Sequence, residues 1–192
     1  FEDKLGTYLM KLTASPLNDQ QVKILTKDLH ALSDLERISD HSQNIAEAID
    51  EIQAKKIAFS EKGAAELGLL EDAVREIVSI TIDSFISNDA KAALQVEPLE
   101  EVIDDMCDAI KMHHVQRLSA KECTLENGFA FNDLITNYER VSDHCSNIAL
   151  ALVETMASEQ EFAPHEYAGS MLSPENRYFQ EYFDHFKEKY AM

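Results

Sequence analysis

The sequence predicts an all-α fold: about six helices, arranged as two tandem three-helix bundles related by an internal repeat. Three observations predict it. Only five glycines and four prolines punctuate 192 residues, of which 45% are apolar. That is the balance of a helix-rich globular chain with material for a core. The stretch from Leu17 to Ala54 contains neither glycine nor proline, an unusual length for one globular helix. Finally, residues 34–46 read DLERISDHSQNIA and residues 137–149 read NYERVSDHCSNIA, at a constant offset of 103. No segment shows the alternation of a strand.

Taken in order, Phe1 to Leu12 forms a short helix with Leu5, Tyr8, Leu9 and Leu12 on one side. Ser15-Pro16 ends it, because proline disfavours helical geometry in the preceding residue. Leu17 to Ala54 is the long second helix, bearing the first copy of the repeat. Ser60 caps a third, whose Leu67, Leu70, Val74, Ile77, Thr81 and Phe85 keep helical spacing. Asn88-Asp89 is the joint between halves, dividing the chain into repeats 1–88 and 89–192, the first with a truncated opening helix. A fourth helix runs to about Leu118 with Leu99, Ile103, Met106 and Ile110 on one stripe, and Pro98 either kinks it or marks a late start. The fifth, Lys121 to Met156, is the twin of the second. Residues 158–172, with Pro164 and Gly169, read as a loop. Ser173-Pro174 then opens a last helix. Its stripe of Tyr178, Phe179, Tyr182, Phe183, Phe186 and Tyr190 is core or docking surface.

Thirty-six acids against 17 bases leave a net charge of −19. A reader of duplex nucleic acid needs a basic footprint, which is missing. The same surplus argues against general attraction to anionic lipid. No apolar run approaches the ~20 residues of a membrane span, and no signal peptide is visible. Cys107, Cys123 and Cys145 have no CxxC spacing, so they read as reduced thiols of a cytosolic protein. The chain opens at Phe1 without an initiator methionine, so a fragment of a longer protein is expected.

The repeated segment carries the candidate chemistry. Glu36 and Asp40, and again Glu139 and Asp143, stand four apart and rise on one helix face. Leu25, Leu29 and Leu32 lie on the line that leads into Glu36, so these acids extend a stripe that is apolar one turn earlier. Carboxylates in such a place cost desolvation and repel one another unless a counter-charge is supplied. Arg37 and Arg140 are salt-bridge candidates, and a bound cation is the other source. Iron, manganese, zinc and magnesium all accept carboxylate oxygen. His41 and His144 are turned well away from the glutamates, which favours hydrogen bonding or an interface over ligation. Asn44 and Asn147 are candidates to orient the acids. On the fourth helix Glu97, Glu101, Asp104 and Asp108 share a face, with Glu100 and Asp105 beside it. From pattern alone that face is an ordinary solvated side. A di-iron oxidase of the ferritin-like kind needs Glu-x-x-His pairs, and no glutamate here has histidine three residues on. Neither a Gly-rich phosphate loop nor a nucleophile motif is present, so no enzyme is expected.

At these residues the chain resembles the PhoU family, whose members carry two three-helix repeats each bearing an E(D)xxxD motif. Glu36 with Asp40 and Glu139 with Asp143 match it. More narrowly, ERISDHSQNIAE, ERVSDHCSNIA and VEPLEEVID are similar to the PhoU-type domain at the C-terminus of bacterial sodium/phosphate cotransporters. The resemblance spans nearly the whole chain. It implies a non-catalytic cytoplasmic domain that regulates phosphate uptake, tethered to the inner face of the membrane by the transporter portion of the same parent chain. It implies a divalent or trivalent metal ion or multinuclear cluster, iron or zinc, and it makes Glu101 and Asp104 plausible ligands beside the motif acids. The first site departs from the family pattern, since the short first helix offers only Glu2 and Asp3. A free-standing PhoU-type signalling adaptor and a metal-free structural module remain alternatives. A homo-oligomer is compatible with each, whereas nucleic acid and membrane insertion are not expected.

Overall fold

The structure is a computed structural model that describes residues 2–155 and 164–192. Among the described residues the chain forms eight helical segments and no strand: α1 (Glu2–Leu12), α2 (Asp19–Lys55), α3 (Glu61–Ser87), α4 (Ala90–Ala93), α5 (Val96–Ser119), α6 (Leu125–Glu154), α7 (Pro164–Met171) and α8 (Arg177–Lys189). The all-α expectation holds, and the boundaries follow local chemistry. Asn18 opens α2 with a capping box, its side chain accepting from Gln21 N while the Gln21 side chain accepts from Asn18 N. Ser60 and Thr124 cap α3 and α6 by accepting from Gly63 N and Asn127 N. Pro98 is the third residue of α5. An amide there has no intrahelical partner to lose, so the proline marks the start of the helix and causes no break.

Two expectations about the C-terminal part need correction. Part of the segment read as a loop over 158–172 is helix, since α7 covers Pro164–Met171. Proline at the first helical position is pre-organised for that role. The rest of that segment, up to residue 163, lies outside the described residues. The last helix opens at Asn176, whose side chain accepts from Tyr178 N. Ser173 instead accepts from Glu175 N, within the turn that separates α7 from α8.

Helix α6 is the centre of the molecule, packing against α2, α3 and α5. Its Phe131, Ile135, Ile148 and Leu152 are buried, as are Leu99, Ile103, Met106 and Ile110 on the stripe expected of α5. One continuous core draws on both halves of the sequence. Helix α2 is more peripheral: Ile38, Ile45 and Ile52 lie against that core half-buried, while Ile49 is exposed. The aromatic stripe of α8 is core, with Phe179, Phe186 and Tyr190 buried and Tyr178 left outside. Lys189 reaches Glu76 on α3 at 2.7 Å, and the Tyr190 hydroxyl donates to the same carboxylate.

The joint at Asn88-Asp89 is a turn. Asn88 has φ 53°, a left-handed conformation that asparagine adopts more readily than most residues. Its side chain also accepts from the buried Lys27 Nζ at 3.0 Å, and that ammonium lies 4.8 Å over the Phe85 ring. Asn88→Gly keeps the backbone and loses the acceptor, while Asn88→Ala loses both. The expected order in urea denaturation is wild type above Asn88→Gly above Asn88→Ala, with about 2 kcal/mol lost in the last.

Candidate metal centre

The site is built where α5 meets α6. Burial of the Leu99–Ile103–Met106–Ile110 stripe turns the acids of α5 toward one edge of the helix. Glu97 and Glu100 sit on the boundary of that stripe and are half-buried, whereas Glu101, Asp104, Asp105 and Asp108 face solvent. From α6, the motif acids Glu139 and Asp143 reach the same region. Glu100, Asp104 and Asp143 each place a carboxylate oxygen so that all three lie within 4.8 Å of one another.

That concentration of like charge is poorly compensated. Burial, and then the neighbouring Asp104, Glu97, Glu101 and Asp143, push Glu100 up from 4.5 to about 8. Burial followed by Asp143, Glu139, Glu101 and Asp108 pushes Asp104 up from 3.8 to about 6. Glu97 is raised too, chiefly by burial, although the Ser146 hydroxyl donates to it. Arg140 bonds Asp143 at 2.8 Å, but its side chain is 57% exposed, so the pair offsets little. The donor set of three carboxylates from two helices, with a surplus of negative charge, fits a hard or borderline cation.

Of the residues expected to bind metal, Asp104 and Asp143 are brought together. Glu100, which the pattern placed beside the acidic face, completes the group. Its signal was the spacing Glu97–Glu100–Asp104, one line along the edge of the apolar stripe. Glu101 stays exposed and acts on Glu100 and Asp104 through its charge. Glu139 is taken by Lys111, whose Nζ donates to it at 2.5 Å. Glu36 and Asp40 lie exposed on α2, with Arg37 3.9 Å from Asp40. Among the described residues no group of three ligands forms around them.

The histidines and asparagines of the repeat have another task. Asp34 accepts from the His144 ring at 2.9 Å and from Asn147 Nδ2 at 3.1 Å. At the offset of 103, Asn137 accepts from the His41 ring at 2.9 Å and from Asn44 Nδ2 at 3.2 Å. Asn137 spends its own amide on the Asp133 carbonyl, so its oxygen is the acceptor and His41 donates from Nδ1. The two imidazoles stack with centroids 5.7 Å apart. The repeated motif thus joins α2 to α6 by a pseudo-two-fold network. Asp34→Ala leaves His144 and Asn147 without their acceptor, and about 1–2 kcal/mol of stability is expected to be lost in urea denaturation.

Comparison with known proteins bears on this geometry. Residues 67–152 match the model of the PhoU domain. The matched range holds Glu100, Asp104, Glu139 and Asp143 and leaves out Glu36 and Asp40. Among relatives, the phosphate-specific transport system accessory protein PhoU homolog 1 of Thermotoga maritima is 28% identical over 153 residues, covering 79% of this chain and 65% of that protein. The corresponding PhoU homolog of Streptococcus pneumoniae is 26% identical over 125 residues, 65% of this chain and 56% of its own length. The chain therefore spans less than two thirds of these curated relatives. The crystal structure of the phosphate transport system regulatory protein PhoU from S. pneumoniae superposes with a TM-score of 0.71 and 22% identity, over 82% of this chain and 73% of that one. That likeness establishes a PhoU-type helical fold. These relatives are named as accessory or regulatory PhoU proteins, and none is named as a sodium/phosphate cotransporter. No helix among the described residues is long and apolar enough to cross a membrane.

Proposed function

We propose that the chain is a PhoU-type regulatory module of phosphate transport that binds one metal ion through Glu100, Asp104 and Asp143. The observation that carries the reading is the convergence of three poorly compensated carboxylates from α5 and α6 inside the matched PhoU range. Iron or zinc is the expected ion, and what it supplies is charge neutralisation and a cross-link. The protein's own residues do the rest. Asp104 and Glu100 hold the ion from α5, Asp143 holds it from α6, and Ser146 fixes Glu97 beside them. Occupancy joins the two helices and favours one arrangement of the bundle. A partner that binds only that arrangement would then respond to metal. The partner proposed is a cytoplasmic surface of a phosphate transporter, and the two sequence repeats are the units of the module.

The names of the relatives favour a free-standing accessory protein. The segments VEPLEEVID and ERVSDHCSNIA support a second reading, in which the module is the tail of a sodium/phosphate cotransporter. Sequencing the parent reading frame separates the two, since the second requires membrane spans in the same chain. Either form is tested by phosphate uptake in cells whose copy carries Asp104→Asn/Asp143→Asn. Uptake is expected to lose its response to external phosphate, and an unchanged response would remove the metal from the regulatory account.

A further inference from the structure

We infer that the groove between α2 and α3 is a docking site for an amphipathic helix of a partner protein, apolar on its inner face and rich in lysine and arginine along its flanks. The groove has a volume of about 450 Å³. Ile45 and Ile49 of α2 form one wall, Val74 and Val78 of α3 the other, and Tyr138 and Val141 of α6 the floor. None of Glu100, Asp104 and Asp143 lines it, so the inference does not depend on the metal reading and is tested without metal.

The internal repeat identifies the shape of the occupant. The offset of 103 carries Ser42, Ile45 and Ile49 to Cys145, Ile148 and Leu152. Those three are buried, whereas Ile49 is 39% exposed and Ser42 faces solvent. Helix α3 contributes to the burial in the second copy, since it packs on α6 and sets Thr81 beside Cys145. The same offset carries α3 to residues 164–190, the stretch that holds α7 and α8. That stretch packs on α6 and α5. Among the described residues, the face on α2 is therefore left without the helix that its twin on α6 has. Two helical walls over an apolar floor receive an amphipathic helix through anchors spaced a turn apart. Ile45 with Ile49, and Val74 with Val78, offer such steps of ~6 Å.

Charge selects the partner. Glu71 and Arg75 are the charged groups of the lining, and they neutralise each other at 2.6 Å. The groove is thus neutral and apolar inside a chain of net charge −19. A second copy of this chain would bring the same surplus to the contact. A helix with cationic flanks is instead drawn to it, and its apolar stripe then supplies the burial that holds it.

The experiment is fluorescence anisotropy at physiological ionic strength with three labelled synthetic peptides. The first is helical with a leucine stripe and lysine flanks, the second keeps the stripe with glutamate flanks, and the third scrambles the first. Each is titrated with wild type, Ile49→Glu, Val78→Glu and the control Met112→Glu, which changes an exposed position on α5 outside the groove. The striped lysine peptide is expected to bind wild type and Met112→Glu alike. Binding to Ile49→Glu and Val78→Glu should be at least about tenfold weaker, because a carboxylate then faces the apolar stripe. The scrambled and glutamate peptides should bind wild type more weakly by a similar factor. Ile49 is exposed, so its variant keeps the fold; should Val78→Glu not fold by circular dichroism, Ile45→Gln takes its place. No binding of the striped lysine peptide overturns the inference, as does equal binding of the scramble, which would mean attraction by charge alone. An affinity unchanged in Ile49→Glu overturns it too. Sedimentation velocity of wild type is expected to show a monomer, and a dimer that Ile49→Glu dissolves would make a second copy the occupant and sink the partner helix.

Discussion

Asparagine at positions 104 and 143 together is expected to abolish stoichiometric metal binding, while Glu36→Gln/Asp40→Asn leaves it intact. The asymmetry is the point of the experiment, because the sequence offers the two ExxxD pairs as equals. Among the described residues, Asp143 is the only one of the four motif acids that lies in a group of three ligands. The double substitution removes two of the three carboxylates proposed to hold the ion and spans both helices. Loss of a second-shell partner costs a metal site about 10–100-fold in affinity, and loss of two ligands exceeds that. The fold is expected to survive, since asparagine is close in size and the substitution relieves repulsion. Elemental analysis of protein purified without chelator provides the measurement. Equal metal in wild type and in the Asp104/Asp143 variant would overturn the site, and loss in the Glu36/Asp40 variant would move it to α2.

How much of this was legible in the sequence depends on which interaction decided each residue. The helices were legible because the 3.6-residue period and capping act locally: Ser60, read as a cap, holds its helix start through an amide three residues on, and Asn18 and Thr124, which the reading did not name, do the same. The short α4 and α7 were missed, as one is a single turn capped by Asp89 and the other begins at a proline. The exchange of partners across α2 and α6 was half legible. The repeat showed that His41 and His144 were equivalent, and their rotation away from the glutamates argued against ligation. Only the packing shows that each serves the opposite helix. Glu100 was missed because a helical wheel ranks residues by angle alone. A position at the edge of an apolar stripe is solvent or site according to what packs there, and here α6 brings Asp143 to it. Lys111 was invisible for the same reason, since its partner Glu139 is 28 residues away.

Stability of the metal-free protein is expected to fall as pH rises from about 4.5 to about 8, and Glu100→Gln is expected to remove much of that fall. Glu100 is held at about 8 in the fold against an ordinary 4.5, and Asp104 at about 6 against 3.8. In each case the folded chain keeps a proton that the unfolded chain has released, so unfolding loses a proton in this window. The unfolded state then binds fewer protons than the native state, and the linkage relation makes stability decrease with pH. It is greatest below the unfolded values and lost as pH passes the folded ones. One pH unit is worth about 1.4 kcal/mol, and solvent screening at these half-exposed groups brings the expected total to about 2 kcal/mol. Glutamine at 100 carries no charge, so at pH 8 the metal-free variant should melt about 4–8 °C above wild type. Saturating metal reverses the order at the same pH, because the ion displaces those protons and binds the folded wild type alone. Thermal melts at pH 5 and pH 8, with chelator and with added metal, give all the comparisons. A metal-free protein equally stable at both pH values, with Glu100→Gln no better, would mean that the carboxylates are already compensated and have no need of an ion.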